Sequence, residues 1–69
     1  MSAVSVTVNG KSTSVKRGSS VADLIGQLRL APQTVVVEFN GEPLLRELFA
    51  TTELEPGDEI ELAHMVGGG

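Results

Sequence analysis

The sequence predicts an α+β domain: one mixed β-sheet with a single main helix packed across one face. Three observations carry this. Apolar and polar residues alternate with period two at residues 4–8 and again at 59–66, the spacing of half-buried strands. Between them Val21, Leu24, Ile25 and Leu28 recur at i, i+3, i+4 and i+7, which is one apolar helical stripe. Asn-Gly occurs twice, as Asn9-Gly10 and Asn40-Gly41, each marking a reversal of the chain.

The elements follow in order. Val4, Val6 and Val8 form the inward face of a first strand, and Thr13 and Val15 continue it on a return strand across the Asn9-Gly10 turn. A type I′ turn needs positive φ at both central positions, which Asn and Gly tolerate. Gly18-Ser19-Ser20 breaks the alternation. Ser20 is a good N-cap, and Asp23 three residues on stands in for the acidic partner of a capping box. Gly26 weakens the helix but lies off its apolar stripe, and Pro32 ends it. Residues 35–39 make a third, β-branched strand, with Val35, Val37 and Phe39 on one face. After Asn40-Gly41 and Pro43 a short helical turn is expected near residues 44–49, with Leu45, Leu48 and Phe49 as its buried side. Leu54-Glu55-Pro56-Gly57-Asp58 is a turn, and residues 59–66 are the last strand. Ile60, Leu62, His64 and Val66 share one face of it; Glu59, Glu61, Ala63 and Met65 share the other.

The order β-β-α-β-(short helix)-β, folded as one mixed sheet under one helix, buries every stripe. That is a β-grasp fold. Residues 1–66 are read as one domain and residues 67–69 as a flexible Gly-Gly-Gly tail.

Composition narrows the function. At 69 residues there is room for one small domain, which buries only about 60% of its unfolded surface. No Cys is present, so there is neither a disulfide nor a thiolate nucleophile, and a lone His64 cannot hold a metal. The core rests on apolar packing, for which 41% apolar residues suffice. The net charge of −4 is unevenly divided. Residues 1–34 carry Lys11, Lys16, Arg17 and Arg29 against Asp23, net +3. Residues 35–69 carry Arg46 against seven Glu and Asp58, net −7. An acidic chain with two Phe and no Trp or Tyr lacks the cationic patch and stacking platforms of a nucleic-acid binder. It also repels a nucleoside triphosphate, so ATP chemistry is expected on a partner that offers a basic surface to the acidic half. No apolar run approaches a membrane span of about 20 residues. The N-terminus lacks the pattern of a signal peptide, so a cytoplasmic location is expected.

No conventional catalytic set stands out. His64, Asp58 and a serine lack the context of a nucleophile elbow, and Glu59 and Glu61 read first as a solvated strand face. The Gly67-Gly68-Gly69 ending has two readings. One is an inert frayed end. The other is a reactive arm. Three glycines reach about 10 Å when extended, they pass a channel that any side chain would block, and they present a terminal carboxylate.

The residues that carry a family resemblance are Val6-Thr7-Val8-Asn9-Gly10, Ser20-Val21-Ala22-Asp23-Leu24-Ile25, Val37-Glu38-Phe39-Asn40-Gly41-Glu42, Arg46-Glu47, Leu54-Glu55-Pro56-Gly57-Asp58-Glu59-Ile60 and His64-Met65-Val66-Gly67-Gly68-Gly69. With these the chain resembles the ubiquitin-like sulfur carriers over essentially its whole length, and their thiamine branch most closely. The ending is the most specific part. The molybdopterin-synthase small subunit usually approaches its Gly-Gly through a Pro, and no Pro follows Pro56 here. Met65 stands where family members often have an aromatic.

The resemblance implies a protein substrate rather than an enzyme, with no bound cofactor. An E1-like adenylyltransferase would use ATP to adenylate the carboxylate of Gly69. Sulfur from a cysteine desulfurase system would then replace AMP to leave a thiocarboxylate, and thiazole synthase would consume the sulfur. Gly67 and Gly68 would thread the partner's active site. Glu59 and Glu61 would meet its basic residues, and Ala63, His64, Met65 and Val66 would complete the contact. Met65 packing against the chain's own short helix is an equal alternative, as is a surface ion pair for Arg46 and Glu47. The free chain is expected to be a monomer. The alternatives are sulfur donation to molybdopterin or another thiolated product, a conjugated modifier, and a β-grasp interaction module with an inert tail.

Overall fold

The computed structural model describes residues 2–64. Met65, Val66 and the glycines at 67–69 lie outside the described residues. The strand expected over 59–66 is therefore followed only to His64.

Strand β1 (Ala3–Val8) turns through Asn9-Gly10 into antiparallel β2 (Lys11–Lys16), in the register Val8↔Lys11 to Ala3↔Lys16. Asn9 and Gly10 have φ of 51° and 84°, the two positive values that a type I′ turn demands. Helix α1 (Val21–Gln27) starts as the sequence predicts. Ser20 accepts a hydrogen bond from the Asp23 N–H at 3.1 Å, and the Asp23 carboxylate accepts one from the Ser20 N–H at 2.9 Å. This reciprocal capping box satisfies two otherwise orphaned donors.

The end of the helix departs from expectation. The helix stops at Gln27, well before Pro32. Arg29 takes up a left-handed φ of 61°. The Arg29 N–H bonds the Gly26 carbonyl and the Leu30 N–H bonds the Ile25 carbonyl, both at 3.0 Å, the paired bonds of a Schellman motif. Leu28, expected on the buried stripe, is the C-cap and is 37% exposed; Leu30 turns back against the core instead. Pro32 opens a 3₁₀ turn, Pro32–Thr34.

Strand β3 (Val35–Phe39) leads through Asn40-Gly41, again with both φ positive, into β4 (Glu42–Leu44). The sequence reading has no strand there. Only three residues long, β4 lies at the sheet edge with Pro43 opposite Glu38, and an edge is where a strand accommodates proline's missing donor. The expected short helix is a 3₁₀ turn, Arg46–Leu48. Phe49 is buried as predicted, but Leu45 and Leu48 are exposed: one 3₁₀ turn is too short to turn all of these large side chains inward. Glu55-Pro56-Gly57-Asp58 closes a turn through the Asp58 N–H and the Glu55 carbonyl, with Gly57 at φ 87°, and β5 (Glu59–His64) follows.

The sheet order is β2-β1-β5-β3-β4, with β1 and β5 parallel and the other pairs antiparallel. Helix α1 supplies Val21, Leu24 and Ile25 to one core with Val4, Val6, Val8, Val15, Val35, Val37, Phe49, Leu54 and Ile60. The mixed sheet under one helix is the predicted β-grasp arrangement. Its consequence for function is the position of β5. The last strand is the middle strand of the sheet, held on both sides.

Candidate functional site

The site is built on β5 and the neighbours that aim it. Along β5 the alternation places Ile60 in the core and Leu62 half-buried, while Glu59, Glu61 and Ala63 are exposed on the opposite face. On that face the β3 register sets Val36 beside Ala63 and Glu38 beside Glu61. Val36 is 52% exposed, so it and Ala63 form a small apolar step near the end of β5. Glu38 and Glu61 are like charges directly across a ladder, an arrangement that destabilises a sheet. With Glu59, the face is an acidic frame around an apolar step. Val36 is not among the contact residues expected from the sequence. The period-two reading of β3 holds the signal, because Val35 and Val37 facing inward forces Val36 outward.

His64 ends β5 and is exposed. It borders a groove with Leu62, Leu30, Leu28 and the Asn9–Lys11 turn. Met65, Val66, Gly67, Gly68 and Gly69 lie outside the described residues. Asp58 and His64 sit at opposite ends of β5, about 20 Å apart at the rise of a strand. Both Asp58 oxygens are engaged: Oδ1 accepts from the Asn40 amide at 3.1 Å, and Oδ2 from the Glu55 N–H at 2.8 Å. A Ser-His-Asp arrangement is therefore not assembled from this pair. Among the described residues no group of three or more His, Asp or Glu side chains is placed to hold a metal.

Two asparagines matter more than their turns suggest. Asn40 donates to Asp58, and its Oδ1 accepts from the Glu59 N–H at 2.9 Å. Asn9 does the equivalent at the other end of β5. Its Oδ1 accepts from the Leu62 N–H at 2.8 Å, and its Nδ2 donates to the Leu62 carbonyl at 3.2 Å. The sequence alone marks both only as turn residues. Arg46 is likewise a tie, donating from Nε to the Pro32 carbonyl at 3.1 Å and from Nη2 to the Gln33 carbonyl at 3.3 Å.

Comparison with known proteins fixes the family. The ThiS family model matches residues 5–69, nearly the whole chain and the glycine ending with it. This chain belongs to the ThiS family. The sulfur carrier protein ThiS of Bacillus subtilis is 36% identical over 63 residues, covering 90% of this chain and 96% of that protein. A thiazole synthase of Magnetococcus marinus is 31% identical over 64 residues, 93% of this chain. The chain spans 20% of that synthase's length. The crystal structure of the ThiS thiamine biosynthesis protein of Geobacter metallireducens is 39% identical and superposes with a TM-score of 0.81, covering 96% of this chain and all of the other. The solution structure of a thiamine biosynthesis protein from the same organism gives 0.78 at 39% identity, covering 96% of this chain and 88% of that one. The ThiS fold and this one thus agree over essentially the full length.

Proposed function

We propose that the chain is the sulfur carrier of thiamine biosynthesis, a protein substrate on which partner enzymes act. The observation that carries this is the placement of Gly67-Gly68-Gly69 shortly after the middle strand of the sheet, in a chain of the ThiS family. β5 is laddered to β3 as far as His64 and to β1 at Glu59 and Ile60, which makes it a firm mount. Glycines beyond it form an arm that a narrow channel admits.

The chemistry follows from what a carboxylate lacks. The terminal carboxylate of Gly69 is a poor acyl donor. An E1-like adenylyltransferase with ATP converts it to an acyl-adenylate, whose AMP is a good leaving group. The outer sulfur of a persulfide supplied by a cysteine desulfurase system displaces AMP to give an acyl disulfide, and a second thiol of the partner cleaves its S–S bond by disulfide exchange, leaving the thiocarboxylate and a partner disulfide. Thiazole synthase takes that sulfur into the thiazole ring. The chain's lack of cysteine suits this role, since no thiol of its own attacks the activated end. The match to part of a longer thiazole synthase chain supports that enzyme as a partner. The body docks through Val36 and Ala63, with Glu38, Glu59 and Glu61 opposite basic residues and His64, Met65 and Val66 at the entrance. Among the described residues no helix is long and apolar enough to cross a membrane, and we assign the reaction to the cytoplasm.

Removing Gly68 and Gly69 tests the reading. Every β5–β3 pair among the described residues lies at or before His64, so the truncated protein is expected to keep its thermal midpoint. It is no longer adenylated by the E1-like partner. Adenylation at the full rate by the truncated chain would refute the role of the tail.

A further inference from the structure

Strand β1 pairs with β5 only at Thr7↔Glu59 and Val8↔Ile60, and then turns away at Asn9-Gly10. The Thr7 N–H bonds the Asp58 carbonyl at 2.8 Å, and the Asn9 N–H bonds the Ile60 carbonyl at 2.9 Å. Strand periodicity points the Leu62 N–H and carbonyl toward the same side, where no β1 backbone remains to meet them. The Asn9 carboxamide fills that position. It presents one acceptor and one donor, and it engages the Leu62 N–H and the Leu62 carbonyl together. A primary amide offers the donor and acceptor of a peptide group, so the side chain extends the ladder one rung past the point where the main chain has left.

We infer that Asn9 is a positioning residue for delivery of the C-terminal glycines, fixing the last described residues of β5 so that the tail leaves in one direction. The inference rests on the carrier reading above. Asn40 supplies the matched comparison. It occupies the same place in the second Asn-Gly turn, with the same φ of 51°, and its side chain holds β5 at Glu59. One strand is clamped at both ends by the amides of two like turns, and only the Asn9 clamp lies at the end that carries the tail.

The physical consequence concerns kcat. The Asn9 carboxamide bonds the Leu62 backbone in the plane of the sheet, whereas the docking face consists of the side chains of Val36, Ala63 and the acidic frame, so its loss removes none of the groups through which the body binds. With the clamp gone, fewer docked complexes hold the carboxylate in line for reaction. Asn9→Gly keeps the turn, because glycine accepts positive φ, and removes only the carboxamide. Asn9→Asp also keeps the turn but loses the donor, and it sets a carboxylate against the Leu62 carbonyl.

The test uses the full chain in two measurements: amide hydrogen exchange, and pyrophosphate release by the E1-like enzyme with ATP as the carrier concentration is varied. For Asn9→Gly we expect exchange at the Leu62 N–H to rise about tenfold or more, whereas Asn9→Asp keeps an acceptor for that N–H and loses only the donor to the Leu62 carbonyl, so its exchange rises less. We expect kcat to fall about tenfold with KM within about twofold of wild type. For Asn40→Gly, exchange rises at Glu59, is unchanged at Leu62, and kcat is retained. A merely structural role would lower thermal stability in both glycine variants and leave kcat of the folded protein intact. Unchanged Leu62 exchange in Asn9→Gly would overturn the clamp. Faster exchange with full kcat would overturn positioning and leave the carrier reading standing, as would an equal loss of kcat in Asn40→Gly. Failure of the wild-type chain to be activated would overturn the carrier reading itself, and the positioning role with it.

Discussion

Gly26 sits inside α1, exposed, with nothing within 4 Å of where a Cβ would lie. It does not need positive φ, so the position uses none of glycine's special freedom and keeps its entropic cost. Gly26→Ala is expected to stabilise the protein by about 0.5–1 kcal/mol, raising the thermal midpoint by a few degrees in a domain of this size. A calorimetric scan checks it. Arg29 is the reverse case, a non-glycine in a left-handed conformation. Nothing in its side chain announces that, which is why the pattern alone lets the helix run on to Pro32. Asn9 and Asn40 were legible as turn formers because φ preference is a local property. Their bonds to Leu62 and Glu59 were not, because those depend on β5 arriving from 53 and 19 residues away.

At the scale of elements, legibility follows length and periodicity. The β1–β2 hairpin, the start of α1, β3 and β5 all stood out, because alternating valines, a capping box and an apolar stripe each name a local geometry. The strand β4 did not. Three residues cannot display a period, and Pro43 argues against a strand until the edge position is known. The 3₁₀ turn Arg46–Leu48 is held by long-range ties. Arg46 grips the Pro32 and Gln33 carbonyls, and the Ala22 N–H bonds the Phe49 carbonyl, so leucines spaced for a helix end up outside. The start of α1 is also shared: besides its capping box, the Val21 N–H bonds the Thr52 carbonyl at 2.9 Å. Ser20→Ala removes the hydroxyl that accepts from Asp23 and is expected to cost about 1 kcal/mol. In a protein whose total stability is roughly 3–10 kcal/mol at this length, a urea titration resolves that loss as a lower midpoint with unchanged slope.

For the whole molecule, the division of charge coincides with the division of labour. The acidic half contributes β3, β4 and β5, and with them the face on which Glu38 and Glu61 oppose each other. Isolated, that face costs stability; in the proposed docking it would steer encounter with a basic partner. The double substitution Glu59→Lys with Glu61→Lys separates the two effects. A lysine in place of Glu61, opposite Glu38, exchanges a repulsion for an attraction, so stability holds or rises by about a few tenths of a kcal/mol. Association with the E1-like enzyme slows about tenfold at low salt. An unchanged association rate in stopped flow would remove electrostatic steering from the account. The tail itself was legible as a motif, and its meaning came from the body it extends: three glycines signify little until they follow the middle strand of a β-grasp sheet. Whether this end takes up sulfur is read by mass spectrometry of the chain after incubation with the E1-like enzyme, ATP and a cysteine desulfurase with cysteine. The expected result is replacement of one oxygen by one sulfur, mapped to the C-terminal glycine fragment and open to alkylation; mapping also excludes methionine oxidation, which has nearly the same mass. An unmodified C-terminus, with ATP consumption no greater than in the absence of the chain, would contradict it.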